Sequence, residues 1–199
     1  MTRIVLQRRR LLHGAALAAG VALPALPVRA MPSLPAGHPG SRPGGHRDGY
    51  PAGYRLALRH LHTRERIDRA HAVGGPRDPI VQAAFDHFLR DHYSGRVGRI
   101  DPQLLDLLCG VHRLTGADRP FEVISGYRCP ETNERLRRTR DGGVASRSLH
   151  LEGRAIDVRL PGVPLATLRD AARELHGGGV GFYPREGFVH IDTGRVRYW

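Results

Sequence analysis

Cysteine is scarce in this chain: two of 199 residues, Cys109 and Cys129. A thiolate-based structural zinc site, which closes with four ligands, is therefore not expected. Aromatic residues make up only 6%, with no aromatic-studded sheet and no basic recognition-helix block along the chain. The formal charge of +12 is thus not the footprint of a nucleic-acid binder. No apolar run is long enough for a comfortable membrane span either. The strongest candidate, Leu11 to Leu26, is interrupted by Pro24 and followed by Pro27.

That run has the form of an export leader instead. Arg3, Arg8, Arg9 and Arg10 make a positive n-region, Leu11 to Leu26 an alanine-rich apolar core, and Val28-Arg29-Ala30 offers small residues for cleavage after Ala30. Gln7-Arg8-Arg9-Arg10-Leu11-Leu12 resembles the twin-arginine signal; an ordinary secretory signal and an uncleaved anchor are the alternatives. Residues 1–30 contain five basic and no acidic residues, so their removal lowers the formal charge from +12 to +7. For an exported chain, an anionic cell-wall polymer or membrane surface is the more economical partner of that charge. In an oxidising compartment Cys109 and Cys129 have the chance to pair; the plainer expectation is two buried, inert thiols.

Residues 31–53 hold much of the proline without any hydrophobic period, as a flexible linker does. One folded domain is expected over 54–199. Leu56, Leu58 and His60 alternate with Ala57 and Arg59, and Leu61-His62-Thr63 turns that strand into a hairpin. Asp78-Pro79 and Asp101-Pro102 each set an N-cap before a proline at the first helical position. The first opens a helix with Val81, Phe85, Phe88 and Leu89 on its apolar face, closed by Ser94-Gly95. The second packs Leu104, Leu105, Leu108 and Val111. Phe121 to Ser125 reads as a strand ended by Gly126, and Pro130 to Arg140 as an arginine-rich helix before an Asp141-Gly142-Gly143 break. A strand over Arg154 to Leu160, a helix over Leu165 to Leu175 and strands over Val180 to Tyr183 and Phe188 to Asp192 complete the pattern. Helices come first, strands mostly later, and βαβ alternation is absent. The class is α+β, with a small, largely antiparallel sheet backed by helices.

The chemistry lies in Ser148-Leu149-His150-Leu151-Glu152-Gly153-Arg154-Ala155-Ile156-Asp157 and Val189-His190-Ile191-Asp192. His150, Asp157 and His190 are the right types to hold one zinc ion and leave a coordination position open, as catalytic sites do. His150 precedes the Gly153 turn, Asp157 sits on the strand after it, and His190 on a later strand, where Asp192 shares its face. Such an ion acidifies water toward a pKa of about 7 and polarises a carbonyl. A carboxylate must then take the water's proton and pass it to the leaving amine. The spacing therefore points to a metal-dependent hydrolase.

Ser148-x-His150-x-x-Gly153-x-Ala155-x-Asp157 resembles the first zinc motif of the D-alanyl-D-alanine metallopeptidases, relatives of VanX-type dipeptidases and the hedgehog domain. Together with Ile124-Ser125-Gly126-Tyr127-Arg128, Gly179-Val180-Gly181-Phe182-Tyr183-Pro184 and Phe188-Val189-His190-Ile191-Asp192-Thr193-Gly194, it is similar to the YcbK/MepK-type murein endopeptidases from about Tyr54 to Trp199. The resemblance implies peptidoglycan stem peptides or their cross-links as substrate, in the periplasm, with one Zn2+ on His150, Asp157 and His190. It implies Arg128 at the developing oxyanion and Ser148 and Tyr127 at the substrate, although Ser148 also suits a local cap. Better-known relatives place a carboxylate three residues before the last zinc histidine, where this chain has Gly187. Asp192 is then the favoured base and Glu186 the alternative. A D,D- or L,D-carboxypeptidase and a non-catalytic zinc-bearing cell-wall module are the competing functions. A monomer is expected, with no nucleic acid bound and no stable membrane insertion once the leader is removed.

Overall fold

Two aspartate caps set the first helices. The structure, a computed structural model, describes residues 54–139 and 145–199; the leader, the 31–53 linker and the Asp141-Gly142-Gly143 break lie outside the described residues. The hairpin of β1 (Tyr54–His60) and β2 (Arg66–His71) leads to α1 (Pro79–Phe88) and α2 (Pro102–Thr115). Asp78 accepts the Ile80 N–H at 2.8 Å and Asp101 the Gln103 N–H at 2.9 Å, each with proline in the first turn. The first helix ends at Phe88, six residues before the expected Ser94-Gly95 stop. The reason is Asp91, whose carboxylate accepts the N–H groups of Tyr93 and Cys129, both at 2.9 Å, and bends the chain away from the helix.

After β3 (Phe121–Ser125) come α3 (Pro130–Thr139), a 3₁₀ turn (Leu149–Glu152), β4 (Ala155–Arg159), α4 (Leu165–Glu174), β5 (Gly179–Tyr183), β6 (Phe188–Asp192) and β7 (Arg197–Tyr198). The strands form one seven-stranded sheet in the order β2-β1-β3-β4-β6-β5-β7. The α+β class holds, but the sheet is larger than expected and mixed: β1 with β3 and β5 with β7 are parallel. The hairpin expected from the Leu56–His60 alternation opens the domain ahead of the helices. β2 carries arginine and aspartate on its open side, and β7 is two residues long, so neither shows a clear apolar alternation.

Period two divides the sheet. Phe121, Val123, Ile156, Val158, Val180, Val189 and Ile191 join Leu104, Leu105, Leu108 of α2 and Leu168 of α4 in one buried core. The residues between them, Asp157 and His190 among others, face the opposite side. Cys109 belongs to that core, where burial pushes its thiol up to about 12. Cys129 sits at the start of α3 beside Thr132 at 3.4 Å. Both are free and buried, so the plainer expectation holds. Among the described residues no helix is long and apolar enough to cross a membrane.

His60, at the end of β1, is fully buried. Its Nδ1 accepts the His62 and Thr63 N–H groups at 3.2 and 3.5 Å, which leaves the proton on Nε2 with no partner among the described residues. Burial, followed by repulsion from His92 and His62, lowers its pKa to about 4. The unfolded chain, near 6.5, takes up a proton that the folded one refuses, so stability falls as pH drops from about 6.5 toward 4. This residue alone is expected to cost about 2 kcal/mol between pH 7 and pH 5. His60→Asn, which keeps an acceptor in place of Nδ1, should flatten that dependence in urea unfolding. An equally steep variant would contradict the assignment.

Candidate metal centre

One row of paired residues crosses four strands. Ser125 of β3 lies opposite Asp157 of β4, Asp157 opposite His190 of β6, and His190 opposite Gly181 of β5. The first pair depends on a shift of register between Val123 and Ser125. Val123 pairs with Val158 on the core side, and the extra residue at the bulge turns Ser125 to the face of Asp157. His150 comes from outside the sheet. Its 3₁₀ turn is capped by the Ser148 hydroxyl and closed by Gly153 at φ 66°. A Cβ at Gly153 would overlap the Arg99 carbonyl, so the turn sits flush against the segment leading into α2.

The three predicted ligands meet. His150 Nε2 is 3.3 Å and His190 Nδ1 2.9 Å from the same Asp157 oxygen, and one donor atom of each residue lies within 4.8 Å of the others. Ligands about 2.1 Å from a common zinc in a tetrahedron stand about 3.4 Å apart, so the donor set fits such an ion. The outward nitrogens are committed as in metal sites generally. His150 Nδ1 donates to the Gly126 carbonyl at 2.7 Å, and His190 Nε2 is 3.1 Å from Asp192. Arg128 takes the second Asp157 oxygen with one Nη and donates to the Ser125 hydroxyl through Nε at 2.8 Å. Burial opposes the charge of Asp157, but His150, His190 and Arg128 outweigh it and hold its carboxyl well below the usual range. Burial lowers His150 to about 4. For His190 burial also opposes the charge, yet the hydrogen bonds to Asp157 and Asp192 raise its pKa.

Asp192, the favoured base from the sequence, lies behind His190. It is fully buried and accepts from five donors: the Gly179 and Gly194 N–H groups at 3.0 and 2.8 Å, Arg197 Nη1 and Nη2 at 3.1 and 2.7 Å, and His190. Its pKa is far below normal, since those hydrogen bonds outweigh burial.

A groove of about 600 Å³ lies over the donors, and its lining includes Arg128, Ser148, His150, Asp157, Glu186 and His190 but not Asp192. Glu186 is exposed on the β5–β6 turn, which Gly187 closes at φ 74°. Tyr127, expected at substrate, does not line the groove; it packs against the core cluster and over Gly98. Ser148 does both things expected of it geometrically, capping the turn and lining the groove. A second cavity, of about 220 Å³ between β2 and α1, shares no lining residue with the groove.

The profile of the family described as "Peptidoglycan L,D-endopeptidase MepK" matches residues 51–199. The chain belongs to this family. The MepK of Escherichia coli strain K12 is 42% identical over 144 residues, covering 72% of this chain and 79% of its own. The probable MepK of Haemophilus influenzae is 37% identical over 145 residues, covering 72% and 77%. A crystal structure of the L-Ala D-Glu endopeptidase ChiX of Serratia marcescens aligns with 39% of this chain and 62% of its own, at 25% identity and a TM-score of 0.32.

The MepK-family match takes in every element from β1 to β7, and so the whole groove. Sequence reasoning placed Gly181 in a family segment without giving it a role, and missed Arg197 and Trp199. Arg197 and Trp199 have no motif of their own, but the alternation over Gly179-Val180-Gly181 offered a signal: two glycines on one strand face mark a close approach. A Cβ at Gly181 would stand 2.7 Å from the Trp199 ring and 2.8 Å from that of Tyr183. Gly181→Ala is therefore expected to destabilise the domain by about 1–3 kcal/mol, with a shift in the emission of Trp199, the single tryptophan. An unchanged unfolding midpoint and spectrum would show that the rings are free to move.

Proposed function

We propose that this MepK-family protein is a periplasmic zinc-dependent endopeptidase that hydrolyses peptide cross-links of peptidoglycan. The observation that carries it is the course of the groove across the sheet. His62 on the β1–β2 turn and Ser125 of β3 line it on one side of the Asp157–His190 pair, and Tyr183 and Trp199 on the other. Substrate chain thus has walls on both sides of the reacting centre, as an endopeptidase needs. The names of the relatives support an L,D bond as the one cut. The leader supports export through the twin-arginine route.

His150, Asp157 and His190 would hold the ion, which supplies Lewis acidity toward the scissile carbonyl and acidifies water. Arg128 keeps Asp157 turned toward the two imidazoles and has further N–H groups without a partner among the described residues, able to meet a substrate oxygen that gains charge. Ser148 faces substrate from the rim. Asp192 fixes the tautomer and orientation of His190, because a carboxylate with five donors has no lone pair or basicity to spare for water. That moves the base to Glu186, which lines the groove and has no hydrogen-bonding partner among the described residues. It takes a proton from water and returns it to the leaving amine.

Purified protein incubated with sacculi should release products lacking cross-links, and a chelator should abolish this. Release of single terminal residues would indicate a carboxypeptidase, and no product at any metal loading would sink catalysis. Two variants separate the carboxylates. Glu186→Gln is expected to retain metal and lose about 10²–10⁴-fold in kcat. Asp192→Asn should weaken zinc affinity about 10–100-fold and recover activity at saturating zinc. The reverse pattern would return the base to Asp192.

A further inference from the structure

Tyr183 carries a hydroxyl proton that the fold leaves unassigned beside the donor triangle. Trp199 Nε1 and the Tyr183 oxygen are 2.7 Å apart. An indole N–H can only donate, so the phenol oxygen must accept. Its own proton is then directed elsewhere, and among the described residues no acceptor partners it. The oxygen is held in place from several directions. The Tyr183 ring stacks on Phe188 at 4.7 Å and 19°. The Trp199 ring packs against His190 at 5.4 Å, under the Arg197 guanidinium at 4.8 Å. The Trp199 backbone is bound to β5 through Phe182 N–H at 2.9 Å. Gly181, opposite His190, supplies the space that both rings occupy. Tyr183 and His190 line the same groove.

We propose that the Tyr183 hydroxyl donates a hydrogen bond to the substrate carbonyl oxygen at the scissile bond as that oxygen gains negative charge. The proton stays on the phenol, and no bond is made or broken at Tyr183. Accepting the indole N–H polarises the O–H and strengthens it as a donor. Arg128 approaches from the β3–β4 side of the row and Tyr183 from the β5 side, so the two donors flank the reacting centre. The assignment rests on the peptidase reading of the groove.

The test uses a soluble cross-linked muropeptide dimer, a non-cleavable phosphinate analogue of it, and the zinc-loaded protein. Tyr183→Phe removes one oxygen and keeps the stacked ring. It is expected to lower kcat about 10²–10³-fold, the usual effect of deleting one oxyanion donor. KM, zinc content and unfolding midpoint should stay near those of the parent. Affinity for the phosphinate should fall far more than affinity for the cleaved product. Trp199→Phe, which keeps a ring on His190 but deletes the N–H, should lower kcat by less. A Tyr183→Phe enzyme within about threefold of the parent kcat, or one altered only in KM, would overturn the proposal while leaving the peptidase reading intact. A parent protein that cleaves nothing fails the peptidase reading itself, and the proposal with it.

Discussion

Asp157 is a buried carboxylate, 4% exposed, and its charge has to be met inside the protein. An isolated carboxylate at such a position is too costly to remain ionised. Here the Arg128 guanidinium pairs with it and two imidazoles close around it, each from a different part of the chain. His150 arrives on a 3₁₀ turn, His190 on the neighbouring strand and Arg128 from the loop after β3. Satisfying this one group therefore fixes the relative positions of three segments. The bulge in β3 belongs to the same requirement: without the shift at Ser125, Arg128 would lose the hydroxyl that steadies its Nε.

The domain divides its work between the two faces of β4 and β6. Ile156, Val158, Val189 and Ile191 supply the apolar contacts that hold the sheet to α2 and α4, while the alternate residues carry polar chemistry. Precision on the polar face follows from packing on the other, because strand register cannot slip by one residue without exchanging the faces. The aromatic wall is positioned in the same way. Gly181 is silent as chemistry, yet the space above it lets Trp199 reach both His190 and Tyr183.

Much of this was legible from the residues. The ten-residue block from Ser148 to Asp157, with His150 and Asp157 seven apart, and the His190 strand led to three groups that meet in space. The proline-preceding caps located both early helices, since an aspartate cap and a proline act locally. What was not legible depended on distant pairing. The end of α1 is set by Asp91 reaching Cys129, which lies thirty-eight residues on. The parallel β1–β3 pairing brings together strands with two helices between them, and β7 is a strand only because β5 lies beside it. Strand alternation correctly put Asp192 on the face of His190, but it could not reveal the arginine five residues later that closes over it.

That closure bears on the charge of the site. Asp157 and Asp192 flank His190, and each has its own guanidinium, Arg128 and Arg197. The two carboxylates and two guanidiniums cancel, so a divalent ion on neutral imidazoles and Asp157 would leave an excess of positive charge. Such a field disfavours a second cation and favours an oxygen that becomes negative, which is the demand of peptide hydrolysis. Had Asp192 been unpaired, it would offset that excess and compete for the proton of His190. Arg197 thus does more than fill space: it keeps Asp192 ionised and oriented toward His190, and under the proposed function proton traffic falls to Glu186 on the open side of the groove.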